Sequence, residues 1–234
     1  MKIKTKNLVN FLRKIQLSGG ELITECVLDF AEEGIKVSAS NPSAMSKVFG
    51  LLKKSSFMEY EAIGQVGVNE LGNIIKVLDR FGEEITLKVE GNLLTVSTTG
   101  KKVEIELMDV KFITFDNREP KLEFTDFFNF PAEKLHEILN DIKLNEDAVI
   151  TFKTEDKKLQ ISNTGKYKFS HEYMVPQCSG GVTVKMGAPF VDAVAELDGT
   201  IEFSIKTDYP IKMIEKNEWS IITLIVAPRV SNEE

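Results

Sequence analysis

The chain is poor in the residues that most often carry catalysis or bind metals. Its 234 residues include two cysteines, Cys26 and Cys178, and two histidines, His136 and His171. Neither cysteine belongs to a CxxC motif, so both are expected to be buried, reduced thiols rather than zinc ligands. GxGxxG, GxxxxGK[ST] and HExxH motifs are absent as well. These absences predict a protein that is not an enzyme and needs no metal or cofactor.

Long apolar runs are also missing. No segment approaches the roughly 20 apolar residues that a membrane-spanning helix needs. The N-terminal "MKIKTKNLVNFLRKI" lacks the apolar stretch and the cleavage site of a signal peptide. We therefore expect no membrane partner and no secretion, with a cytoplasmic location in a bacterial or archaeal cell and a nuclear one in a eukaryotic cell.

Charge is distributed unevenly. The formal net charge of −7 argues against a nucleic-acid partner for the chain as a whole. The first twenty residues nevertheless contain five basic residues and no Asp or Glu: Lys2, Lys4, Lys6, Arg13 and Lys14. The sequence therefore indicates an acidic protein whose N-terminal segment is basic.

The order of predicted elements occurs twice. Each half starts with an amphipathic helix ("KNLVNFLRKIQL", "PAEKLHEILNDI"), continues with short strands, adds a second helix ("VNELGNIIKVLDRF", "APFVDAVAEL") and ends in hairpins. Between the halves, "DVKFITFDNREPKLEF" has no clean period. The pattern predicts an α+β fold with two similar tandem domains, residues 1–110 and 127–234, joined by a connector at 111–126.

Several segments resemble one known family. They are "GIKVSASNPSAMSKV", "GVNELGNIIKVL", "LMDV", "DYPIKM" and the terminal "LIVAPRVSNEE". In order and spacing they resemble the DNA sliding clamps of the proliferating cell nuclear antigen (PCNA) type, found in archaea and eukaryotes. The resemblance covers the whole chain. It implies the DNA clamp fold, in which two helices per domain pack on antiparallel sheets and three copies join head to tail into a ring.

The resemblance also implies where subunits meet. In the family, a strand before the connector pairs with a strand of the next subunit's second domain. The matching segments are "KKVEIEL" and "YKFSHEYM", and both would be unpaired edges in a lone chain. The implied interface residues are Lys102, Val103, Ile105, Tyr167, Phe169, His171 and Tyr173.

A ring that slides on duplex DNA needs basic side chains directed at phosphates rather than at base edges. The polar faces of the predicted helices supply Lys6, Arg13, Lys14, Lys76, Arg80, His136 and Lys143. The first helix has no acidic residue to balance its charge. The second half is less basic, so DNA contact is expected to be lopsided, weak or completed by other chains in a mixed ring.

The family also docks DNA polymerases, the clamp loader and repair enzymes, whose short peptides insert apolar anchors into a pocket. The matching positions are Ala44, Met45, Phe115, Pro210, Ile225, Val226, Ala227 and Pro228. The family commonly has a large apolar residue where this chain has Ser40, which leaves the peptide preference open.

Two alternatives remain at the level of sequence. An accessory or checkpoint-type clamp would share the fold but assemble with different chains, and the weakly basic second half favours it. A two-domain α+β enzyme would use scattered carboxylates such as Asp29, Asp109 and Asp208. The absence of any nucleophile–base or metal-ligand spacing disfavours the enzyme.

Overall fold

The computed structural model describes residues 1–17, 23–113, 118–145 and 148–229. Internal contacts divide the chain into two compact units, with the main boundary between Glu119 and Pro120 inside the predicted connector. Two short segments are exceptions: residues 43–46 cluster with the second unit, and residues 217–222 cluster with the first. The four α-helices among the described residues are α1 (Thr5–Gln16), α2 (Leu71–Leu78), α3 (Ala132–Ile142) and α4 (Ala188–Ala193).

The first unit is built mainly from nine short strands and two helices. Its strands are β1 (Lys2–Lys4), β2 (Cys26–Ala31), β3 (Gly34–Ser40), β4 (Ser46–Lys53), β5 (Phe57–Glu59), β6 (Gly64–Val68), β7 (Glu84–Glu90), β8 (Leu93–Thr98) and β9 (Lys101–Glu106). They are ordered β5–β1–β7–β8–β9 and β4–β3–β2–β6. Neighbouring strands pair antiparallel, as the residue register shows for β1 with β7, β2 with β3 and β6, β3 with β4, and β8 with β7 and β9.

The second unit repeats this plan. Its strands are β10 (Asp126–Pro131), β11 (Ile150–Glu155), β12 (Lys158–Asn163), β13 (Ser170–Met174), β14 (Val182–Met186), β15 (Thr200–Ile205), β16 (Ile211–Lys216) and β17 (Ser220–Val226). They are ordered β10–β15–β16–β17 and β13–β12–β11–β14. Strand for strand, these two orders match β1–β7–β8–β9 and β4–β3–β2–β6, so the predicted duplication extends to the connectivity of the strands.

The helices form where the apolar period predicts them. On α1 the stripe of Leu8, Phe11, Leu12 and Ile15 is buried to 4% exposure or less. Corresponding stripes are buried on α2 and α3. Each such side chain stabilises the fold by about 1.5–3 kcal/mol relative to an exposed one. Packing of these stripes therefore fixes which helix faces stay outside and carry charge.

The two helices of the first unit, α1 and α2, are in contact. Gly72 on α2 faces Gln16 on α1, and a Cβ atom there would lie 2.6 Å from the side-chain nitrogen of Gln16. A larger residue at position 72 would therefore require the Gln16 side chain to move.

Four strands were not predicted from the sequence: β1, β5, β6 and β10. β1 and β5 have three residues each, which is too short for an alternating pattern to emerge. β10 does alternate, with Phe128 and Phe130 buried, but the exposed Phe127 hides the period. The predicted connector therefore overlaps β10 by one residue, Asp126.

No helix among the described residues is long and apolar enough to cross a membrane.

Candidate DNA-binding, subunit-interface and peptide-binding sites

Three basic side chains on α1, on α2 and in the turn after α2 are exposed, as predicted. They are Lys6, Lys76 and Arg80. None of them forms an ion pair with another described residue. Their charges are therefore available to a ligand.

Arg13 is less available than the sequence suggests. Its Nη2 atom lies 2.7 Å from Oδ2 of Asp79, which caps the C-terminal end of α2. The two side chains are each 41% exposed. The first helix itself has no acidic residue, as predicted, but Asp79 at the end of α2 balances the charge of Arg13.

Lys14 does not lie on the exposed face. It is 3% exposed, and its Nζ atom lies 5.7 Å from the centre of the Trp219 ring. The helical period places Lys14 next to Ile15 and Phe11, on the side where α1 packs. The prediction that Lys14 contacts DNA is therefore wrong for this conformation of the chain.

The corresponding surface of the second unit is different. Lys143, which caps α3, is exposed as predicted. His136 is half-buried, and its Nε2–H donates a hydrogen bond to the carbonyl oxygen of Val194 at 3.1 Å. His136 therefore joins α3 to the residue after α4, which corrects its prediction as an outward-facing DNA contact. Lys134, on the exposed side of α3, pairs with Glu137 at 2.7 Å.

Both strands assigned to subunit contact lie at sheet edges. β9 ends the order β5–β1–β7–β8–β9, and β13 ends the order β13–β12–β11–β14. Each has one hydrogen-bonded neighbour among the described strands. Lys102 on β9 is exposed, whereas Val103, Ile105, His171 and Tyr173 are half-buried.

The second predicted edge strand is shorter than expected. It begins at Ser170, so Tyr167 and Phe169 precede it. The chain bends at residues 165–167 because the side-chain amide of Asn145 binds the backbone N–H and C=O of Tyr167 at 2.8 and 2.7 Å. The assignment of Tyr167 to a regular strand is therefore wrong, although its side chain is 49% exposed.

Two side chains of β13 already have contacts within the second unit. Nε2 of His171 lies 3.4 Å from Oδ2 of Asp141 on α3. The ring of Tyr173 packs edge-to-face on Phe130, with ring centres 5.0 Å apart. These contacts hold the strand against its own unit and leave its outer edge open.

The predicted peptide-binding residues separate into surface and core. The backbone N–H of Ala227 donates to the carbonyl oxygen of Met45 at 2.8 Å, which brings the Ser43–Ser46 loop beside the end of β17. Ala44 is exposed with φ +56°, and Met45 is half-buried. Pro210, Ala227 and Pro228 are half-buried as well.

Val226 belongs to the core. It is 1% exposed, so it cannot touch a bound peptide, and its prediction as a contact residue is wrong. Ile225 retains 7% exposure and stays a prediction. Phe115 lies outside the described residues.

An aromatic pair near Pro210 was missed. The rings of Tyr209 and Phe124 pack edge-to-face with centres 5.9 Å apart, and Nζ of Lys206 lies 4.9 Å from the centre of the Tyr209 ring. The "DYPIKM" segment contained the signal, because an aromatic residue beside a proline in a turn often lies at the surface.

A buried carboxylate was also missed. Asp126 is 1% exposed and accepts hydrogen bonds from Thr154 Oγ1 at 2.6 Å and from the N–H groups of Ser179 and Gly180 at 2.7 and 3.1 Å. Burial alone would raise the pKa of Asp126, but the hydrogen bonds outweigh it and hold the pKa below its ordinary value. Asp126 thus ties β10 to β11 and to the loop before β14.

Comparison with known proteins agrees with this geometry. A DNA polymerase sliding clamp of Methanococcus maripaludis strain C6 is 25% identical over 94% of this chain and 96% of its own length. The sliding clamp of strain S2 is 30% identical over 65% of this chain and 63% of its own length. No family model matches the chain.

Three solved structures with the same fold are PCNA structures. The PCNA of A. fulgidus, bound to the C-terminal region of FEN-1, has a TM-score of 0.87 over 99% of this chain and 98% of its own, at 18% identity. PCNA from Entamoeba histolytica has a TM-score of 0.83 over 98% of both chains, at 18% identity. The PCNA2–PCNA3 complex from Sulfolobus tokodaii reaches 0.79 over 97% of this chain and 98% of that one, at 20% identity.

The chain is similar to DNA polymerase sliding clamps along nearly its whole length, and its fold is that of the PCNA structures. The predicted resemblance and the α+β clamp fold are confirmed. Sliding clamps are processivity factors rather than enzymes, so the prediction that the chain is not an enzyme is confirmed by its relatives. The enzyme alternative built on Asp29, Asp109 and Asp208 is thereby set aside.

Proposed function

We propose that this sliding clamp assembles as a homotrimeric ring that surrounds duplex DNA, slides without reading sequence, and holds replication and repair enzymes on the template. One observation carries the assembly. The two units repeat one strand order, and among the sheet ends of the described strands are β9 in the first unit and β13 in the second, the two strands that the resemblance assigns to subunit contact. A head-to-tail contact between two different edges generates a ring when the rotation closes.

The charge distribution supports DNA in such a ring. Lys6, Lys76 and Arg80 are exposed on or just after the helices of the first unit, and Lys143 is exposed at the end of α3 in the second. Basic side chains without base-reading partners bind phosphates and release counterions, which gives affinity without sequence preference. This is the property that sliding requires.

Retention on circular DNA tests the encircling. The chain is loaded onto a nicked circular duplex, the complex is separated from free protein, and the DNA is then cut once. A closed ring stays on the circle and slides off the cut ends, so we expect retention to fall at least tenfold on cutting. Equal retention on circular and linear DNA would contradict the proposal.

The peptide site is proposed at the loop that contains Ala44 and Met45, with Pro210, Ala227 and Pro228, and with Phe115 and Ile225 as further predicted contacts. Polymerases, the clamp loader and other replication or repair enzymes are the expected partners. A relative of the same fold is bound to the C-terminal region of FEN-1, which supports peptide docking here.

Met45→Ala tests this site. Loss of a half-buried apolar contact is expected to weaken binding of a partner-derived peptide about fivefold or more, as measured by calorimetry. Met58→Ala is the matched control, since Met58 is 45% exposed on β5 of the first unit and lies outside the proposed site. Equal affinity for both variants would remove Met45 from the site.

A heterotrimeric accessory clamp is the second candidate. The weak basicity of α3 favours it, and a relative of the same fold forms a complex of two different chains, PCNA2 and PCNA3. The chain purified alone would then stay monomeric or dimeric, and a ring would form only after a second clamp subunit is added.

A further inference from the structure

The strand register between neighbouring subunits can be inferred from the two open edges, given the ring proposed above. On β9, the backbone N–H of Leu107 donates to the carbonyl oxygen of Asn92 at 2.7 Å, on the side of β8. Backbone groups of successive residues in a strand point to opposite sides. Lys102, Glu104 and Glu106 therefore direct their N–H and C=O groups towards the open edge.

The same reasoning applies to β13. The carbonyl oxygen of Phe169 accepts from the N–H of Asn163 at 3.3 Å, and the N–H of Val175 donates to the carbonyl oxygen of Lys157 at 2.8 Å. Odd-numbered residues thus face β12, and Lys168, Ser170 and Glu172 face the open edge.

On both edge strands, the exposure of a side chain alternates with the direction of its backbone groups. The edge-facing residues of β9 and those of β13 are exposed, whereas the residues between them, such as Val103, Ile105 and His171, are half-buried. In antiparallel pairing between the two edges, edge-facing residues lie opposite one another and the half-buried residues of both strands stay on one face. The register of such a pair can change only in steps of two residues. Glu104 can then lie opposite Lys168, Ser170, Glu172 or Met174. The Met174 register is disfavoured because it sets Glu106 opposite Glu172, and like charges that face each other destabilise the pair.

The register with Glu104 opposite Glu172 is disfavoured by charge. Directly opposed like charges destabilise an antiparallel pair. In this register Lys102 would also face Met174, so no opposite charges would meet on the edge-facing rows.

The register with Glu104 opposite Lys168 is disfavoured by the backbone. It would place Glu106 opposite Lys166, inside the bend at residues 165–167. Both backbone groups of Tyr167 are already bound by the side chain of Asn145. Extending the strand through this bend would break those hydrogen bonds.

The geometry points to the remaining register, in which the edge of a second copy of this chain places Glu172 opposite Lys102, Ser170 opposite Glu104, and Lys168 opposite Glu106. The half-buried face then sets His171 opposite Val103 and Phe169 opposite Ile105. Both charged pairs are of opposite sign, and the ladder ends at Lys168, where the bend begins.

The charged pairs across the edge determine the register, but they add little to the affinity between subunits. Exposed ion pairs contribute little each. Lys102 and Glu172 also have partners within the lone chain: Glu104 at 2.5 Å and Lys158 at 2.9 Å. Glu106 and Lys168 are exposed and pair with no other described residue, so they report most cleanly on the contact between copies.

Charge reversal tests the pair. E106K is expected to raise the concentration at which the ring dissociates about tenfold, and K168E is expected to do the same. The double variant E106K/K168E should return to within about twofold of the unmodified chain. E106K/K166E is the matched control, and its ring should dissociate at the same raised concentration as that of E106K. Dissociation is followed by light scattering on dilution, and unchanged thermal unfolding of each variant verifies the fold.

A covalent readout maps the same register without using charge. Val103 and His171 would face each other as a non-hydrogen-bonded pair, whose Cα atoms lie about 4.5 Å apart, within disulfide range. V103C/H171C is expected to give covalent trimers after mild oxidation, whereas V103C/F169C and V103C/Y173C should not.

The outcomes separate the register from the ring. The register alone is overturned if the unmodified chain is trimeric and E106K dissociates at the same concentration. It is also overturned if K166E, rather than K168E, restores the ring of the E106K variant. Crosslinking through F169C or Y173C in preference to H171C does the same. A monomeric unmodified chain overturns both the register and the proposed homotrimer.

Discussion

The two units share one strand order but differ in the charge that their helices expose. On α1, on α2 and in the turn after α2, the first unit has Lys6, Lys76 and Arg80, which have no acidic partner among the described residues. On α3 of the second unit, Lys134 is paired with Glu137, and Lys143 remains as the exposed base. Duplication thus preserved the topology, which depends on buried apolar stripes, while the exposed faces diverged. We expect the first unit to provide most of the DNA contact.

The largest expected effect tests a contact that the first unit lacks. β1 has three residues and no counterpart of Asp126, whose carboxylate holds β10 to the loop before β14. Asp126→Asn is expected to lower the free energy of unfolding by about 2 kcal/mol, because buried donors lose a charged acceptor. Urea unfolding measures the loss, and hydrogen exchange should place it in β10, β11 and β14 rather than in β2 and β3.

The control for this change is Asp208→Asn. Asp208 is exposed with φ +53°, a conformation that Asn tolerates, so little change in stability is expected. An equal loss in both variants would contradict the anchoring role of Asp126.

Acid provides a second test of Asp126. Because its pKa is lowered in the folded chain, its stabilisation is present above the unfolded pKa of about 3.9 and is lost as the pH falls through the folded pKa. The difference in unfolding free energy between the unmodified chain and D126N should therefore shrink below about pH 4. A difference that stays constant down to pH 2 would argue against an ionised, hydrogen-bonded carboxylate.

A pair of double variants tests the lopsided DNA contact. K76A/R80A in the first unit should flatten the slope of log affinity against log salt by about 1 to 2 units, because each phosphate contact contributes about 0.9. K134A/K143A in the second unit should change the slope by less than about 0.5. Equal effects of the two variants would show that both units contact DNA alike.

The smallest expected effect concerns Arg13. Asp79→Ala removes its partner and leaves the guanidinium free, so duplex affinity at low salt is expected to rise about twofold, at a stability cost below about 1 kcal/mol. Fluorescence anisotropy with a short duplex measures the change. Weaker DNA binding in D79A would mean that the ion pair positions Arg13 for phosphate rather than neutralising it.

The apolar pattern predicted most of this fold, and the family resemblance implied the location of two of its edges. The stripes of α1, α2 and α3 were predicted correctly because burial repeats with the helical period. The strands at Lys101–Glu106 and Ser170–Met174 were predicted from their pattern, the resemblance implied that both are edges, and the sheet orders place both at edges. Sequence periodicity could not locate β1 or β5, because three residues do not define an alternation.

The errors at single residues have a common physical cause. Lys14 and His136 are polar residues that the structure uses to contact Trp219 and the Val194 carbonyl, and a helical wheel cannot distinguish such a residue from one in solvent. Arg13 was misjudged because its partner, Asp79, is 66 residues away in sequence. Val226 was misjudged because family likeness locates a segment but not which of its side chains point into the core.

The mass of the unmodified chain in solution tests the central claim most directly. Light scattering on a sizing column, at several protein concentrations and two salt levels, is expected to give three times the 26.3 kDa of one chain, with the value maintained on dilution. A mass of one chain at every concentration would contradict the homotrimer and direct the search to a second clamp subunit.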